Sequence, residues 1–146
     1  KMSNVIKQLQ DIQADAHILY VNFHNYHWNI RGMQFFPIHE MTESLYNAMS
    51  EVFDDTAERV LQLGGEPLVN LSEIIARASV KEDVKHSFEA KEVIQNISKA
   101  LEEMLAKWRM LSKKAEEVRD TTTMAMADEK VAELEKQLWM YRATLA

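Results

Sequence analysis

The chain has 146 residues, 47% of them hydrophobic, with three Gly, two Pro and no Cys. That is enough chain for one domain with a proper core, spanning residues 1–146, and too few breakers for a fold of many short strands. Without Cys there is no disulfide, thiolate site or thiol nucleophile, so any metal must be held by oxygen and nitrogen. The net charge of -6 repels nucleic acid unless a basic patch overrides it, and the Lys and Arg residues are scattered among acids.

No apolar run approaches the roughly eighteen residues of a membrane span. The stretch Lys1-Met2-Ser3-Asn4-Val5 shows neither an apolar core nor a cleavage site of small residues, so the expected location is the cytoplasm. The expected class is all-α, with four long helical segments. In the first, Val5, Leu9, Ile12, Ala16, Leu19 and Phe23 recur three or four apart, a stripe that should face a core, with Gly32 as the expected stop. After the turn Met33-Gln34-Phe35-Phe36, Pro37 suits the first turn of a second helix. Its stripe is Met41, Leu45, Ala48, Val52 and Leu61, and it should stop at Gly64-Gly65.

Residues 68 to 86 read as a long connection in which Asn70 caps a short helix over Leu71 to Ala78. A third long helix should begin near Ser87 and run to about Arg119, with Val93, Ile97, Ala100, Met104, Trp108 and Leu111 inward. Asp120-Thr121-Thr122-Thr123 has the side chains of an N-cap, and a last helix follows with Ala127, Val131, Leu134, Leu138 and Tyr141. Two helices, a long crossover with its own small helix, then two more helices is the order of a ferritin-like four-helix bundle.

His24, His27 and His39 fall within sixteen positions, and Glu40, Glu43, Asp54, Asp55 and Glu58 stand near them. Imidazole with carboxylate and no thiolate suits iron, zinc or manganese. Asp54 and Glu58, four apart on one helix, share a face, while Asp55 reads as solvated or paired with Arg59. His39 and Asp54 lie fifteen residues apart on one helix, roughly 22 Å at 1.5 Å per residue, so one chain cannot bring both to one metal. An antiparallel two-fold pairing of the second helix, with its axis near Asn47, would set His39 of one chain beside Asp54 and Glu58 of the other and create two equal sites. Singly, each His has a bland alternative: His24 as a hydrogen-bonded helix-end residue, His17 and His86 with no chemical role. Trp28, Trp108, Trp139 and most Met read as core or interface filler.

The stretches His24-Asn25-Tyr26-His27-Trp28-Asn29-Ile30-Arg31-Gly32, then Phe35, Phe36 and His39, and Phe53-Asp54-Asp55-Thr56-Ala57-Glu58-Arg59-Val60-Leu61-Gln62-Leu63-Gly64-Gly65-Glu66-Pro67, together with Leu138-Trp139-Met140, resemble the Dps mini-ferritins over essentially the whole chain. The resemblance implies a dodecameric hollow shell with ferroxidase sites at two-fold interfaces. By it, His27 and His39 from one subunit and Asp54 and Glu58 from its partner are ligands. Glu43 supports the second of two irons, and Trp28 takes part in electron transfer. The implied activity is oxidation of Fe(II), preferentially by hydrogen peroxide, with ferric mineral stored inside and zinc as a competing metal. Glu40 is then expected at the nucleating inner surface, and Asp120 and Asp128 at acidic pores that admit iron. The competing expectation is a DNA-compacting structural protein. It meets a difficulty here, because only Lys1 and Lys7 lie near the front and no Lys-rich tail is visible, whereas counterion-driven binding needs clustered positive charge. A third alternative is a helical interaction module without metal.

Overall fold

Apolar residues spaced three and four apart become helices, and no strand forms beyond one isolated bridge between Ile30 and Phe88. The computed structural model describes residues 1–146. In chain order the helices are α1 (Met2–Asn29), α2 (Phe35–Gln62), α3 (Leu71–Arg77), α4 (Ala90–Glu117) and α5 (Thr121–Leu145). The four long ones form the bundle around one core in which Phe23, Ile97, Leu101 and Trp108 are almost fully buried. α3 sits within the crossover, capped as expected by Asn70, whose side chain accepts from the Glu73 N–H at 2.9 Å.

The ends of α2 and α4 obey the same rule. At the end of α2, Gly64 adopts a left-handed φ of 84°, Gly65 N–H donates to the Val60 carbonyl and Gly64 N–H to that of Leu61. At the end of α4 the left-handed position is Arg119 (φ 58°), with Asp120 N–H on the Ala115 carbonyl. Both are Schellman closures, which satisfy carbonyls the helix leaves orphaned. Gly65 also permits close packing, since a Cβ there would sit 3.0 Å from the Ile6 side chain.

One boundary and one position of an inward stripe differ from expectation. α1 ends at Asn29, three residues before Gly32, because Ile30 turns extended and Phe88 N–H donates to the Asn29 carbonyl while Arg31 N–H donates to that of Phe88. Tertiary pairing, not the glycine, ends the helix; Gly32 (φ 109°) serves the turn into α2. Leu61, placed on the inward stripe, is 59% exposed, and Val60 takes the buried position. Of the tryptophans read as core or interface filler, Trp108 is core and Trp139 lies on the surface at 59% exposure.

The crossover is held by polar groups of α1. Gln13 both donates to and accepts from the backbone of Leu68, Asn22 bridges the Lys81 carbonyl and the Asp83 N–H, and Asn25 donates to the carbonyls of Asp83 and Lys85. Asp15, 1% exposed, accepts from the N–H groups of Ser79 and Val80, from the Ser79 hydroxyl and from Lys107 Nζ on α4. An extended segment cannot satisfy its own backbone, so α1 supplies side chains with matching donors and acceptors. No buried side-chain nitrogen or oxygen is left without a partner.

Candidate metal centre

His27 lies two residues from the end of α1 and His39 near the start of α2, so the tight α1–α2 hairpin brings them together. Their rings stack with centroids 3.6 Å apart and 13° between planes. His27 Nδ1 is 2.7 Å from the His39 carbonyl oxygen, and His39 Nδ1 is 2.8 Å from that of His27. A carbonyl can only accept, so each Nδ1 carries a proton, which leaves Nε2 as the nitrogen whose lone pair a metal would use. This reciprocal tie fixes tautomer and ring orientation, the job done around metal-binding imidazoles by outer hydrogen bonds.

Burial, opposed by the bond to the His39 carbonyl, lowers the pKa of His27 below its ordinary 6.5, with the nearby His39 and His24 adding to the effect. His27 is therefore neutral at pH 7, the state a ligand requires. Phe35 stacks on the far side of His39 at 5.0 Å, and Tyr46 presents its edge to His27 at 5.2 Å. His24 donates its Nδ1–H to the Tyr20 carbonyl at 2.7 Å and stacks on Tyr46 at 3.7 Å, so its hydrogen-bonded role is the one found. Trp28, 5.2 Å from His24, projects from the end of α1 and is 65% exposed.

The carboxylates lie farther along α2. Asp54, Asp55 and Glu58 are exposed, and their ligand oxygens lie within 4.8 Å of one another. None of the six ion pairs in the chain includes any of them. Arg59 does not pair with Asp55: its guanidinium donates to Asp120 (3.1 Å), Thr123 Oγ1 (2.9 Å) and Gln62 Oε1 (2.9 Å). Asp55 is thus solvated, the other alternative for it. The chain brings His27 to His39 and Asp54 to Glu58, and it keeps the two pairs separate, with His39 and Asp54 fifteen residues apart on α2.

Glu43 is exposed one turn from His39 and Tyr46, and its negative charge raises the pKa of Tyr46, second to burial. Glu40 is exposed. Asp128 is exposed and accepts from Ser112 Oγ at 2.6 Å. Asp120, the other residue expected at a pore, sits at the start of α5. Its side chain is 8% exposed and fully engaged: it accepts from Thr123 N–H as the cap of α5, from the Thr123 hydroxyl and from Arg59. Burial would raise its pKa, but these hydrogen bonds and the Arg59 charge win and hold it below 3.8. Its three accepted bonds are directed to Arg59 and Thr123 within the chain.

Two neighbours of the His pair escaped the sequence reading. Thr42 Oγ1 lies 3.2 Å from His27 Nδ1, and Tyr46 packs between His24 and His27. Both follow His39 by helical spacing, three and seven residues on, so the face of α2 that carries His39 was the available signal.

A ferritin-like domain model matches residues 6–146. A DNA protection during starvation protein from Helicobacter pylori is 42% identical over 138 residues, covering 94% of this chain and 96% of that one. The crystal structure of a Dps protein from Bacillus brevis superposes with a TM-score of 0.93 at 35% identity, over 99% of this chain and 96% of that one. A Vibrio cholerae Dps protein, described as one of a broad superfamily of ferritin-like diiron-carboxylate proteins, gives a TM-score of 0.94 at 29% identity, over 99% and 90% of the two chains.

Proposed function

The chain belongs to the Dps family of ferritin-like proteins, and from that premise we propose that it binds Fe(II) at sites shared between two subunits and oxidises it, preferentially with hydrogen peroxide. His27 and His39 of one subunit and Asp54 and Glu58 of its partner hold the iron, Glu43 supports the second of two irons, and Trp28 conducts electrons beside the site. The observation that carries this reading is the matched pair of half-sites: two imidazoles with free Nε2 atoms where α1 meets the start of α2, and an unpaired carboxylate cluster fifteen residues beyond His39 on α2, too far along the helix to meet them. An antiparallel pairing of two α2 helices joins them twice.

The donor set fits the substrate. Neutral imidazole with carboxylate suits Fe(II), and carboxylate oxygen is a good ligand for the harder Fe(III) product. Zinc accepts the same ligands and competes. Two Fe(II) give one electron each to one peroxide, which takes up two protons and leaves as two waters, so no hydroxyl radical is released. Twelve subunits would close a shell that stores ferric mineral, with Glu40 at its inner surface and Asp128 near a route inward. No helix is long and apolar enough to cross a membrane; the proposed setting is the cytoplasm, where removal of iron and peroxide protects DNA. Direct DNA compaction is disfavoured by the net charge of -6, and a gel shift at low salt that shows binding would reinstate it.

A subunit-mixing experiment tests the shared site. His39→Ala and Asp54→Ala chains should each oxidise Fe(II) far more slowly than the parent. Unfolded together and reassembled in equal amounts, they form mixed interfaces in which one of the two sites is intact, so about a quarter of parental sites return. No recovery in assembled mixtures would show that the site lies within one chain or elsewhere.

A further inference from the structure

Arg59 follows Glu58 directly and lies four residues after Asp55. An acid four residues before a base, as Asp55 stands before Arg59, is placed to make an ion pair on a helix surface. Asp55, Glu58 and Arg59 even line one hollow of about 340 Å³ between α2 and α5, with Lys130 on its other wall. Both cations are nevertheless drawn away from the carboxylates. Lys130 reaches Glu133 at 3.4 Å, and Arg59 spends donors on all three of Asp120, Thr123 and Gln62. The partners on α5 are themselves fixed, because Asp120 caps the helix and Thr123 is fully buried.

We infer that Asp120 and Thr123 act as a sequestering clamp, holding the Arg59 guanidinium off the carboxylate face of α2 so that Asp54, Asp55 and Glu58 remain free for a cation. The inference rests on the proposed reading of Asp54 and Glu58 as ligands. It gives Asp120 a positioning role: it touches no metal, and it acts through where it keeps Arg59. Released, Arg59 has the Asp55 and Glu58 carboxylates within one helical turn, and a bound guanidinium would compete with a divalent ion for the same oxygens.

The test is a double-mutant cycle read by Co(II) titration of the metal-free assembled protein, since Co(II) reports binding without turnover. Asp120→Asn keeps a capping side chain while removing the charge that holds Arg59. It should weaken Co(II) binding ~2- to 5-fold, the range of an exposed ion pair. Adding Arg59→Gln to Asp120→Asn should restore parental affinity, and Arg59→Gln alone should bind at least as tightly as the parent while melting at a lower temperature. A purely structural clamp makes the opposite prediction, because the double variant would be no better than the single. Parental affinity in Asp120→Asn, or no rescue in the double variant, overturns the inference. If Asp120→Asn does not assemble, Thr123→Val loosens Arg59 without altering any charge and enters the same cycle. A parent that binds no Co(II), or that binds it unchanged after Asp54→Ala, refutes the ligand reading itself and the clamp with it.

Discussion

α1 carries polar residues on two sides, and their surroundings differ. Towards the crossover, Gln13, Asp15, Asn22 and Asn25 each meet a backbone group or a cation, and Asp15 alone takes four donors. Towards α2 and along it, His27 and His39 satisfy only one nitrogen each, and Asp54, Asp55 and Glu58 satisfy none within the chain. A group placed for stability is saturated; a group placed to bind something later has to keep a lone pair back. Saturation therefore separates the two uses of the same residue types better than residue type does.

The largest effect should come from breaking the saturated side. Asp15→Ala strands Lys107 and two backbone N–H groups of the crossover, and loss of one partner of a buried pair costs about 3–5 kcal/mol. Chemical denaturation should show that loss, while iron oxidation by the folded fraction persists. Asp54→Ala should invert the pattern, abolishing Fe(II) oxidation with stability changed by less than about 0.5 kcal/mol, as for an exposed unpaired residue. Equal destabilisation by the two would erase the distinction.

A smaller effect lies in pH. His27 has a folded-state pKa below its ordinary 6.5, so the unfolded chain binds the extra proton first. Its contribution to stability is present above pH 6.5 and is lost as pH falls through the lowered folded value. Melting of the metal-free protein should drop across that window, and His27→Gln should flatten part of the slope.

Much of this arrangement was legible in the chain. The stripe from Val93 to Leu111 and the caps at Asn70 and Asp120 are local signals, decided by periodicity and by side chains within three residues, and they stand where expected. The grouping of His27 with His39 came from the resemblance to the family, and the short α1–α2 hairpin is what brings the two rings together. What could not be read was any choice among distant partners. Arg59 prefers Asp120, sixty-one residues on, to Asp55 at four, and α1 stops at Asn29 because Phe88 pairs with it. The polar ladder was hidden for the same reason: Gln13 or Asn22 in a helix looks like a surface residue until an extended segment is laid along it.

The smallest effect carries the sharpest sign. Asp54 and Glu58 sit four apart on α2 with Asp55 beside them, and like charges at that spacing destabilise a helix by about 0.2–0.5 kcal/mol. Asp54→Asn should accordingly raise the melting temperature of the metal-free protein by about 1 °C at low ionic strength, whereas Asp15→Asn lowers it. The gain should fade as salt is added, because exposed charges are screened within about 10 Å at 0.1 M. Co(II) should reverse the order, stabilising the parent more than Asp54→Asn, since a cation relieves the repulsion that the variant has already removed. A carboxylate whose deletion helps the empty protein and harms the loaded one is held in place by what it binds, and the saturated face of α1 contains none that should behave so.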